Sequence, residues 1–484
     1  MSEDGRCDAP SEAREQRRAA RAALGMLDAL IAAYFVLLLA YLAAGGIDLG
    51  AFSVRRFSKP FLILLLLASV RAAIPRASWL THACAALRQR AGTALSALEV
   101  LRFGPAAIDS FVAVASVHVL TKGTTFLALL LLPPARPRPF PMPFEAQRFA
   151  EAFAAWDSGW YFDIAQRGYY WNPSGQSSLA FFPLYPLLMR ALAWPFGGGE
   201  RALWLSGIAL SYACLWLGLA VLHRLSEDRL GGREPARRTV LYLAVFPFAY
   251  FFTQVYTESL FLLTSVSAVA AAFASRWGWA GAFGALAALT RPNGILVAVP
   301  LGLLALASRP RPAELLRRAA WLSLVPLGFA GYCGFAWQLS GDPLGWLRAQ
   351  SQWGYSVFNR PWVELSRLLD GISREGLYGY FFSDSLAPYY FAHGAVALAL
   401  VALLPSVFRR LGLALGAYVA VSLYVPLSGN ALEGIGRYAA TLFPVFMLLG
   451  SRVRSQRLHE ALLVSGALLL SLFSALFASW RPIY

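Results

Sequence analysis

The sequence predicts an all-α protein that crosses a membrane many times. Of its 484 residues, 58% are hydrophobic and only 14% are charged, and the mean hydropathy is +0.54. A soluble domain of ordinary composition carries about 25% charged residues, so much of the surface of this protein must face lipid. Apolar runs close to the ~20 residues that a helix needs to cross hydrocarbon recur from one end of the chain to the other.

We expect about thirteen apolar spans by the length that a membrane helix requires. The predicted spans are 27–47, 60–75, 109–132, 201–222, 239–254, 257–275, 277–291, 293–308, 319–339, 386–404, 411–428, 437–450 and 460–480. Arginine sets their orientation, because the cytoplasmic loops of membrane proteins are enriched in positive charge. The arginine-rich connections are therefore predicted in the cytoplasm, at 223–238, 309–318, 405–410 and 451–459.

The spans alternate between these four connections, which places the remaining polar segments on the extracytoplasmic side. Those segments are 133–200, 255–256, 340–385 and 429–436. Residues 183–196 are apolar but short and interrupted by proline, so we expect a helix that lies along the outer surface. The predicted fold is a helical bundle with a large extracytoplasmic loop that contains surface-lying helices.

The predicted domain organisation has three parts. Residues 1–26 form a basic cytoplasmic N-terminus, followed by a retained first helix rather than a cleaved signal peptide. Residues 27–107 form an additional transmembrane hairpin with a basic linker, and residues 108–484 form the core. The basic segment 55–59 would lie outside if 27–47 and 60–75 form this hairpin, which conflicts with the positive-inside bias.

The net charge of +16 does not indicate nucleic-acid binding, because the arginines gather in short connections between spans. We therefore expect the lipid bilayer as a partner and no nucleic acid. The four cysteines, Cys7, Cys84, Cys214 and Cys333, lie far apart, without a metal-binding spacing or a disulfide framework. No cofactor is predicted, and the requirement for a divalent metal is left open.

A carboxylate among aromatic residues follows the third span. Asp157 lies in the segment WDSGWY at 156–161, and Asp163 follows six residues later. That spacing is not a helical neighbour spacing, so at most one of the two carboxylates is expected in a given pocket. A transfer that inverts a sugar needs one base to take a proton from the acceptor hydroxyl, which is worth about a hundred- to ten-thousand-fold in rate. The alternative is an aspartate that caps a surface helix, and both interpretations remain open.

Two arginines lie at span ends on the predicted outer side. Arg291 begins the sequence RPNG, which includes Asn293, and Arg437 lies in the sequence GRY. Both depart from the positive-inside bias, so each is expected to have a specific partner there. A guanidinium can grip phosphate oxygens with two parallel hydrogen bonds, which makes a donor phosphate one candidate partner. Anchoring to lipid headgroups is the alternative.

The turn QVYTES at 254–259 places Tyr256 and Glu258 between two apolar helices. A carboxylate at the hydrocarbon edge requires a partner, either an arginine or a substrate hydroxyl. An ion pair with Arg291 or Arg437 is the structural interpretation. The intramembrane residues Lys122 and His118 either line a cavity or pack against another helix.

Aromatic residues on the same predicted side complete the candidate site. Trp156 and Trp160 flank the carboxylate, Tyr185 follows in the sequence AFFPLYP, and Trp353 lies in the second large loop. We expect sugar contacts from Trp160, Tyr185 and Trp353, although tryptophan and tyrosine also gather at membrane interfaces without any ligand. The supporting residues are Trp156, Asp163, Glu258, Tyr256 and Asn293.

At these residues the chain resembles a known family, the GPI mannosyltransferase 2 (PIG-V-type) group of dolichol- or polyprenyl-phosphate-dependent mannosyltransferases. The resemblance covers about 150–450. The matching pieces are Trp156-Asp157, Ile164-Ala165, Gly168-Tyr169, Ala180-Phe181-Phe182-Pro183, Pro186, Tyr256, Glu258, Arg291, Asn293-Gly294 and Arg437. The resemblance implies a GT-C-type helical bundle whose large first extracytoplasmic core loop bears the catalytic aspartate, here Asp157.

The same resemblance implies an inverting transfer of a sugar, with mannose expected, from a polyprenyl-phosphate donor to an acceptor on the outer face. Two features depart from the family pattern: the additional N-terminal 100 residues, and Trp160, where some relatives carry histidine. A lysine-poor, arginine- and alanine-rich composition indicates a GC-rich bacterial source, so we expect a plasma membrane protein of the cell envelope. The topology set by arginine places its active site outside. The unknown glycan, lipid or protein acceptor is then not expected to be a GPI precursor.

A transporter or flippase for a lipid-linked or polar solute is the principal alternative. Transporters commonly show repeated halves and helices broken at mid-membrane. Here no internal repeat is evident, and the polar residues gather at one predicted surface. A non-catalytic scaffold is a third possibility, and it would tolerate replacement of Asp157.

Overall fold

A computed structural model describes residues 22–34, 36, 47–48, 53–54, 67, 104–131, 152–354, 360–383, 386–429 and 432–481. The chain divides into two compact units, Met1–Phe103 and Gly104–Tyr484. In the first unit, helix α1 runs over Ala22–Tyr34, and the two-residue strands β1 (Ile47–Asp48) and β2 (Ser53–Val54) pair antiparallel. Most of the predicted spans 27–47 and 60–75, and all of the basic segment 55–59 and of the proline-rich segment 133–143, lie outside the described residues.

The second unit is built from helices throughout its described residues. Its α-helices are α2 (Pro105–Leu131), α3 (Ser158–Arg167), α4 (Leu184–Ala193), α5 (Glu200–Leu230), α6 (Arg233–Ala244), α7 (Glu258–Phe273), α8 (Trp277–Thr290), α9 (Ala298–Ala307), α10 (Pro312–Leu322), α11 (Leu324–Ser340), α12 (Gly345–Ser351), α13 (Val363–Ser383), α14 (Ala387–Leu411), α15 (Leu413–Ser428), α16 (Ile435–Thr441), α17 (Phe443–Arg452) and α18 (Gln456–Ala478). Short 3-10 helices lie at Ser178–Ala180, Trp194–Phe196, Ala249–Thr253, Pro292–Val297 and Leu432–Gly434.

Among the residues that the structure describes, five helical stretches are long and apolar enough to cross a membrane. They are Pro105–Leu129, Glu200–Leu230, Pro312–Ser340, Ala387–Leu411 and Gln456–Ala478. A helix rises 1.5 Å per residue, so stretches of 23 to 31 residues exceed the ~30 Å thickness of the hydrocarbon layer. The predicted all-α, polytopic fold class is confirmed.

Within the described residues, several of the predicted spans are shorter than expected or interrupted. Helix α6 ends at Ala244, just before Pro247, and the predicted span 239–254 continues only as a 3-10 helix. The predicted span 437–450 is divided at Leu442, with Pro444 in the first turn of the next helix. Proline lacks the backbone N–H group that an α-helix requires, so it can interrupt an apolar run. A prediction from hydropathy alone does not take this into account.

The two large predicted loops contain helices of their own. The predicted surface helix at 183–196 appears as α4 followed by a 3-10 turn, in which Trp194 and Phe196 are 80% and 79% exposed. The loop 340–385 contains α12 and α13. Aromatic side chains exposed in this manner are typical of a membrane–water interface.

The long helix α5 organises the core and positions the site. It packs against α2, α4, α6 and α7, and Leu215, Leu219 and Leu222 on it are fully buried. Near its first half, the Ser211 hydroxyl donates to the Gln254 carbonyl oxygen at 2.7 Å. This bond fixes the irregular segment before α7, which contains the candidate site residue Tyr256.

Candidate active site

Asp157 immediately precedes helix α3, but its side chain does not cap that helix. Asp157 is the N-cap residue of α3, but its side chain accepts no capping hydrogen bond from the backbone of that helix. Its Oδ2 atom instead accepts a hydrogen bond from Nη1 of Arg437 at 2.6 Å. The capping interpretation of Asp157 is therefore not what the structure shows, and 29% of the side chain remains exposed.

The residue before Asp157 has a strained backbone. Trp156 has φ 53°, in the left-handed region that a bulky residue rarely adopts. Such strain costs on the order of 1–3 kcal/mol and persists only where the surroundings enforce it. Here the Trp156 indole N–H donates to the Phe477 carbonyl oxygen at 3.3 Å, and its ring lies 4.9 Å from that of Trp480. Helix α18 and the residues after it thus stabilise the backbone turn at Trp156, which determines the position of Asp157.

Tyr256 fixes the same turn from the other side. Its hydroxyl accepts from the Asp157 backbone N–H at 3.0 Å and donates to the Ala155 carbonyl oxygen at 3.1 Å. The Val255 N–H also donates to the Phe153 carbonyl oxygen at 2.9 Å. Because Tyr256 is fully buried, these bonds are shielded from water and hold the Asp157 backbone rigidly.

Arg437 and Arg291 share one buried carboxylate. Oε1 of Glu258 accepts from Nε of Arg437 and from Nη1 of Arg291, each at 2.7 Å. The Glu258 side chain is 0% exposed, and as the first residue of α7 it also benefits from the positive end of the helix dipole. With Asp157, the four side chains form a cluster of two carboxylates and two guanidinium groups whose formal charges cancel. We call these four residues the charged cluster.

Aromatic rings and one histidine hold Arg437 in place. Its guanidinium carbon lies 4.8 Å from the Tyr256 ring centre and 5.0 Å from that of Phe251, a cation–π arrangement. The backbone N–H of Gly436 donates to Nδ1 of the buried His393 at 3.0 Å. Sequence analysis missed Phe251 and His393. A histidine inside an otherwise apolar span is the signal that points to His393.

The sequence RPNG brings Arg291 to the cluster through a sharp change of backbone direction. Arg291 is extended, with φ −153°, and separates helix α8 from the 3-10 helix that begins at Pro292. A Cβ atom at Gly294 would overlap the Ala287 carbonyl oxygen, so only glycine allows this close return. Asn293 is buried, and its Oδ1 atom accepts no hydrogen bond from the described residues.

Three aromatic side chains from distant segments pack together at helix α3, which begins directly after Asp157. Trp160 stacks on Phe181 with ring centres 5.4 Å apart, and Trp353 meets Trp160 edge-on at 5.4 Å. Trp160 lies one helical turn beyond Asp157 on α3. We call Trp160, Phe181 and Trp353 the aromatic shelf. All three rings are half-buried, so each keeps an accessible face or edge.

Tyr161 lies beneath the charged cluster as a neutral hydroxyl. Burial raises the pKa of Tyr161 to about 12; the Arg437 cation opposes this rise, and the carboxylates of Asp157 and Glu258 add to it. Its hydroxyl is 3.5 Å from that of Thr257. Tyr161 therefore acts as packing and as a hydrogen-bonding group, and not as a base at neutral pH.

The structure leaves two of the predicted site residues apart from the charged cluster. Oδ1 of Asp163 lies 3.5 Å from Nε of Arg167 on the same helix. Tyr185 is fully buried, and its hydroxyl donates to the Gly207 carbonyl oxygen at 3.0 Å and contacts the Ser211 hydroxyl at 2.7 Å. A sugar contact by Tyr185 would require this packing to open.

The intramembrane residues of α2 take part in packing. Nζ of Lys122 donates to the Ala152 carbonyl oxygen at 2.6 Å and lies 4.5 Å from the Phe153 ring centre. Nδ1 of His118 lies 2.7 Å from the hydroxyl oxygen of Tyr212. Within the described ranges, no group of three or more His, Cys, Asp or Glu side chains is close enough to hold a metal ion.

Comparisons with known proteins support a membrane glycosyltransferase. Residues 113–306 match the family described as mannosyltransferase (PIG-V), which confirms the resemblance over that range. The match covers less than half of the chain and contains every member of the charged cluster except Arg437. No curated protein matches the chain.

The solved structures that are similar to this chain include two from Archaeoglobus fulgidus. One is an oligosaccharyltransferase in the apo form, with 13% identity and a TM-score of 0.46 over 79% of this chain and 57% of that chain. The other is the oligosaccharyltransferase AglB in complex with an inhibitory peptide and a dolichol-phosphate, with 13% identity and a TM-score of 0.37 over 77% of this chain and 56% of that chain. This chain thus aligns with little more than half of each protein.

Proposed function

We propose that the protein transfers a sugar, with mannose expected, from a polyprenyl-phosphate donor to an extracytoplasmic acceptor with inversion of configuration. Asp157 is the general base of this proposal. The observation that carries it is the 2.6 Å contact between Asp157 and Arg437, a partly exposed carboxylate held beside a guanidinium group. Asp157 also lies in the segment that matches the mannosyltransferase family.

One base and one cationic group are sufficient for this chemistry. The oxygen of the acceptor hydroxyl forms a bond to the anomeric carbon of the sugar. At the same time, the Asp157 carboxylate takes the proton from that hydroxyl. The bond between that carbon and the donor phosphate oxygen breaks, and the phosphate leaves with the electron pair. Attack from the face opposite the leaving group inverts the configuration. The leaving phosphate needs no acid, since it departs as a stable anion.

Arg437 is the residue that we propose binds the donor phosphate. Its Nε donates to the buried Glu258, while its Nη1 donates to the more exposed Asp157. An incoming phosphate can replace Asp157 on Arg437 without disturbing the contact with Glu258. This exchange would free the Asp157 carboxylate to accept a proton only when a donor is bound. Only 9% of the Arg291 side chain is exposed, so we propose that Arg291 supports the phosphate site through its contact with Glu258.

The aromatic shelf is the proposed surface for a sugar ring. The C–H faces of a sugar pack well on flat aromatic rings, which bury apolar area at low entropic cost. The shelf joins three parts of the chain, since Trp160 comes from α3, Phe181 from the sequence AFFP and Trp353 from the loop after α12. Asn293 and Trp156 are proposed as supporting residues through the Arg291 turn and the Asp157 turn.

The decisive experiment measures sugar transfer by the purified full-length protein in liposomes. The donor is radiolabelled polyprenyl-phosphate mannose, and the acceptor is a lipid and glycan extract of the host membrane. Radiolabel recovered in a new glycan or glycolipid supports the proposal. Movement of the labelled donor between leaflets without transfer would instead support the transporter or flippase alternative.

The predicted orientation has its own test in whole cells. In a variant without native cysteines, Arg167→Cys on α3 should react with a membrane-impermeant maleimide added outside. Arg224→Cys, in a predicted cytoplasmic segment, is the matched control and should react only after permeabilisation. Both native side chains are exposed, so the reagent reaches either position from the correct side. The reverse pattern would overturn the extracytoplasmic site.

A further inference from the structure

A cavity lined by arginine lies away from the charged cluster. Its volume is about 370 Å³, and it is bounded by the ends of α5, α14 and α17 and by the start of α6. Four arginines from four separate segments line it: Arg229, Arg238, Arg410 and Arg454. We call this space the arginine cavity.

The arginine cavity has more positive than negative charge. The carboxylate that lines it is Glu234, whose Oε1 atom already accepts from Nε of Arg238 at 2.8 Å. Across the described residues, Arg229, Arg410 and Arg454 pair with no carboxylate. Three cationic groups around one cavity repel one another, and a bound anion would relieve that repulsion.

The positive-inside bias accounts for arginine in these connections but not for its convergence on a cavity. Topology requires only that basic residues lie in a loop. Here a Cβ atom at Gly450 would overlap the Thr239 hydroxyl, so glycine lets α17 approach α6 closely. Arg238 also donates to the Val453 carbonyl oxygen, and the Arg229 guanidinium carbon lies 4.2 Å from the Phe273 ring centre. The packing thus holds two of the four arginines in fixed positions.

The arginine cavity lies at the opposite end of α5 from the charged cluster. Ser211, in the first half of α5, lies near the charged cluster, because its hydroxyl donates to the carbonyl oxygen of Gln254, four residues before Glu258. From Ser211 to Arg229 the helix advances about 27 Å at 1.5 Å per residue. That distance is close to the thickness of the hydrocarbon layer, about 30 Å. A separation of this size fits two sites on opposite faces of the membrane.

We propose that the arginine cavity binds a phosphate group at the cytoplasmic face. Guanidinium groups match the geometry of phosphate oxygens and form bidentate, charge-assisted hydrogen bonds with them. Two sources share this chemistry: the headgroup of an anionic phospholipid and a soluble phosphate compound. Basic pockets between membrane helices on this face are suited to the former. The proposal is independent of the transfer chemistry proposed for Asp157.

The test measures binding by the full-length protein in an uncharged detergent. Isothermal titration calorimetry uses three probes: dihexanoyl phosphatidylglycerol, inorganic pyrophosphate and dihexanoyl phosphatidylcholine as the neutral control. The variant Arg410→Gln with Arg454→Gln removes two exposed arginines of the cavity. The matched control, Arg224→Gln with Arg457→Gln, removes the same charge from exposed positions of the same predicted face outside the cavity.

We expect saturable binding of at least one anionic probe. The cavity variant should weaken it about tenfold or more, because two charge-assisted hydrogen-bond donors are lost, while the control stays near the parent. Preference for phosphatidylglycerol assigns a lipid headgroup, and preference for pyrophosphate assigns a soluble ligand; either supports the site. Equal weakening in both variants, or no saturable binding of either anionic probe by the folded protein, would overturn the proposal.

Discussion

Arg437 donates to Asp157 and to Glu258 at the same time, through Nη1 at 2.6 Å and Nε at 2.7 Å. The two carboxylates differ in environment, since Glu258 is 0% exposed and Asp157 is 29% exposed. A ligand that competes for Arg437 therefore displaces Asp157 first. This difference separates a positioning carboxylate from a proposed reactive one, and it gives each residue a distinct mutational signature.

Replacement of Asp157 by asparagine should abolish the proposed transfer while leaving the fold intact. Asparagine keeps the size and one acceptor oxygen but cannot take a proton, so we expect a rate lower by about a hundred- to ten-thousand-fold. The measurement is transfer from polyprenyl-phosphate mannose in liposomes, at equal protein levels. Asp163→Asn is the matched control, because Asp163 pairs with Arg167 outside the charged cluster. Equal loss in both variants would remove the special role of Asp157.

Replacement of Arg437 by lysine should weaken use of the donor. Lysine keeps the positive charge but cannot donate to Asp157, Glu258 and a phosphate in the fixed planar geometry of a guanidinium group. We expect a higher KM for the polyprenyl-phosphate donor, with a smaller effect on the KM for the acceptor. Arg167→Lys on α3 serves as the control, since the Arg167 side chain is 78% exposed. An unchanged donor KM in Arg437→Lys would contradict the phosphate role.

Replacement of Glu258 by glutamine should lower thermal stability. The change leaves Arg291 and Arg437 without the buried charge that both contact, and breaking a buried ion pair costs about 3–5 kcal/mol. The melting temperature of the purified protein in detergent reports this loss. The double variant Glu258→Gln with Arg291→Gln should lose less than the sum of the single changes, because the two residues are coupled. Strict additivity would show that this contact contributes little.

Replacement of Trp353 by alanine should raise the KM for the sugar-bearing donor. The change removes one member of the aromatic shelf, while Trp160 and Phe181 still stack on each other. Loss of one ring contact is worth about 0.5–1.5 kcal/mol beyond the buried area, so several-fold weaker binding is expected. Trp362→Ala is the control, because Trp362 lies in the same predicted loop but is 60% exposed. Matching effects in both variants would count against the shelf.

Sequence reasoning identified the members of the charged cluster but not how they are connected. Glu258 was expected to pair with Arg291 or Arg437, and it pairs with both. Asp157 and Arg437 are 280 residues apart, so only the folded chain establishes their contact. Local patterns report side-chain chemistry and approximate depth, whereas partners across the bundle depend on how helices pack.

The interrupted spans explain the other difference between sequence and structure. Hydropathy predicted continuous spans at 239–254, 293–308 and 437–450, and the structure breaks each into an α-helix and a second segment. Arg291 immediately precedes one of these breaks, the 3-10 helix Pro292–Val297, and Arg437 lies in the short helix α16 before the break at Leu442. Irregular backbone at membrane depth is tolerated where it is enclosed by protein or lines a cavity. Two of the four members of the charged cluster therefore lie at or near breaks that hydropathy does not predict.

Replacement of Gly294 by alanine should disrupt the turn that places Arg291. A Cβ atom there would overlap the Ala287 carbonyl oxygen, a backbone atom that cannot move aside cheaply. We expect a lower melting temperature together with reduced transfer, because Arg291 shares Glu258 with Arg437. Gly302→Ala is the matched control: a Cβ atom at Gly302 meets nothing within 4 Å, and alanine in a helix is favoured over glycine by about 0.5–1 kcal/mol. The control should therefore be neutral or more stable, and a Gly294→Ala protein that behaves like it would refute the steric argument.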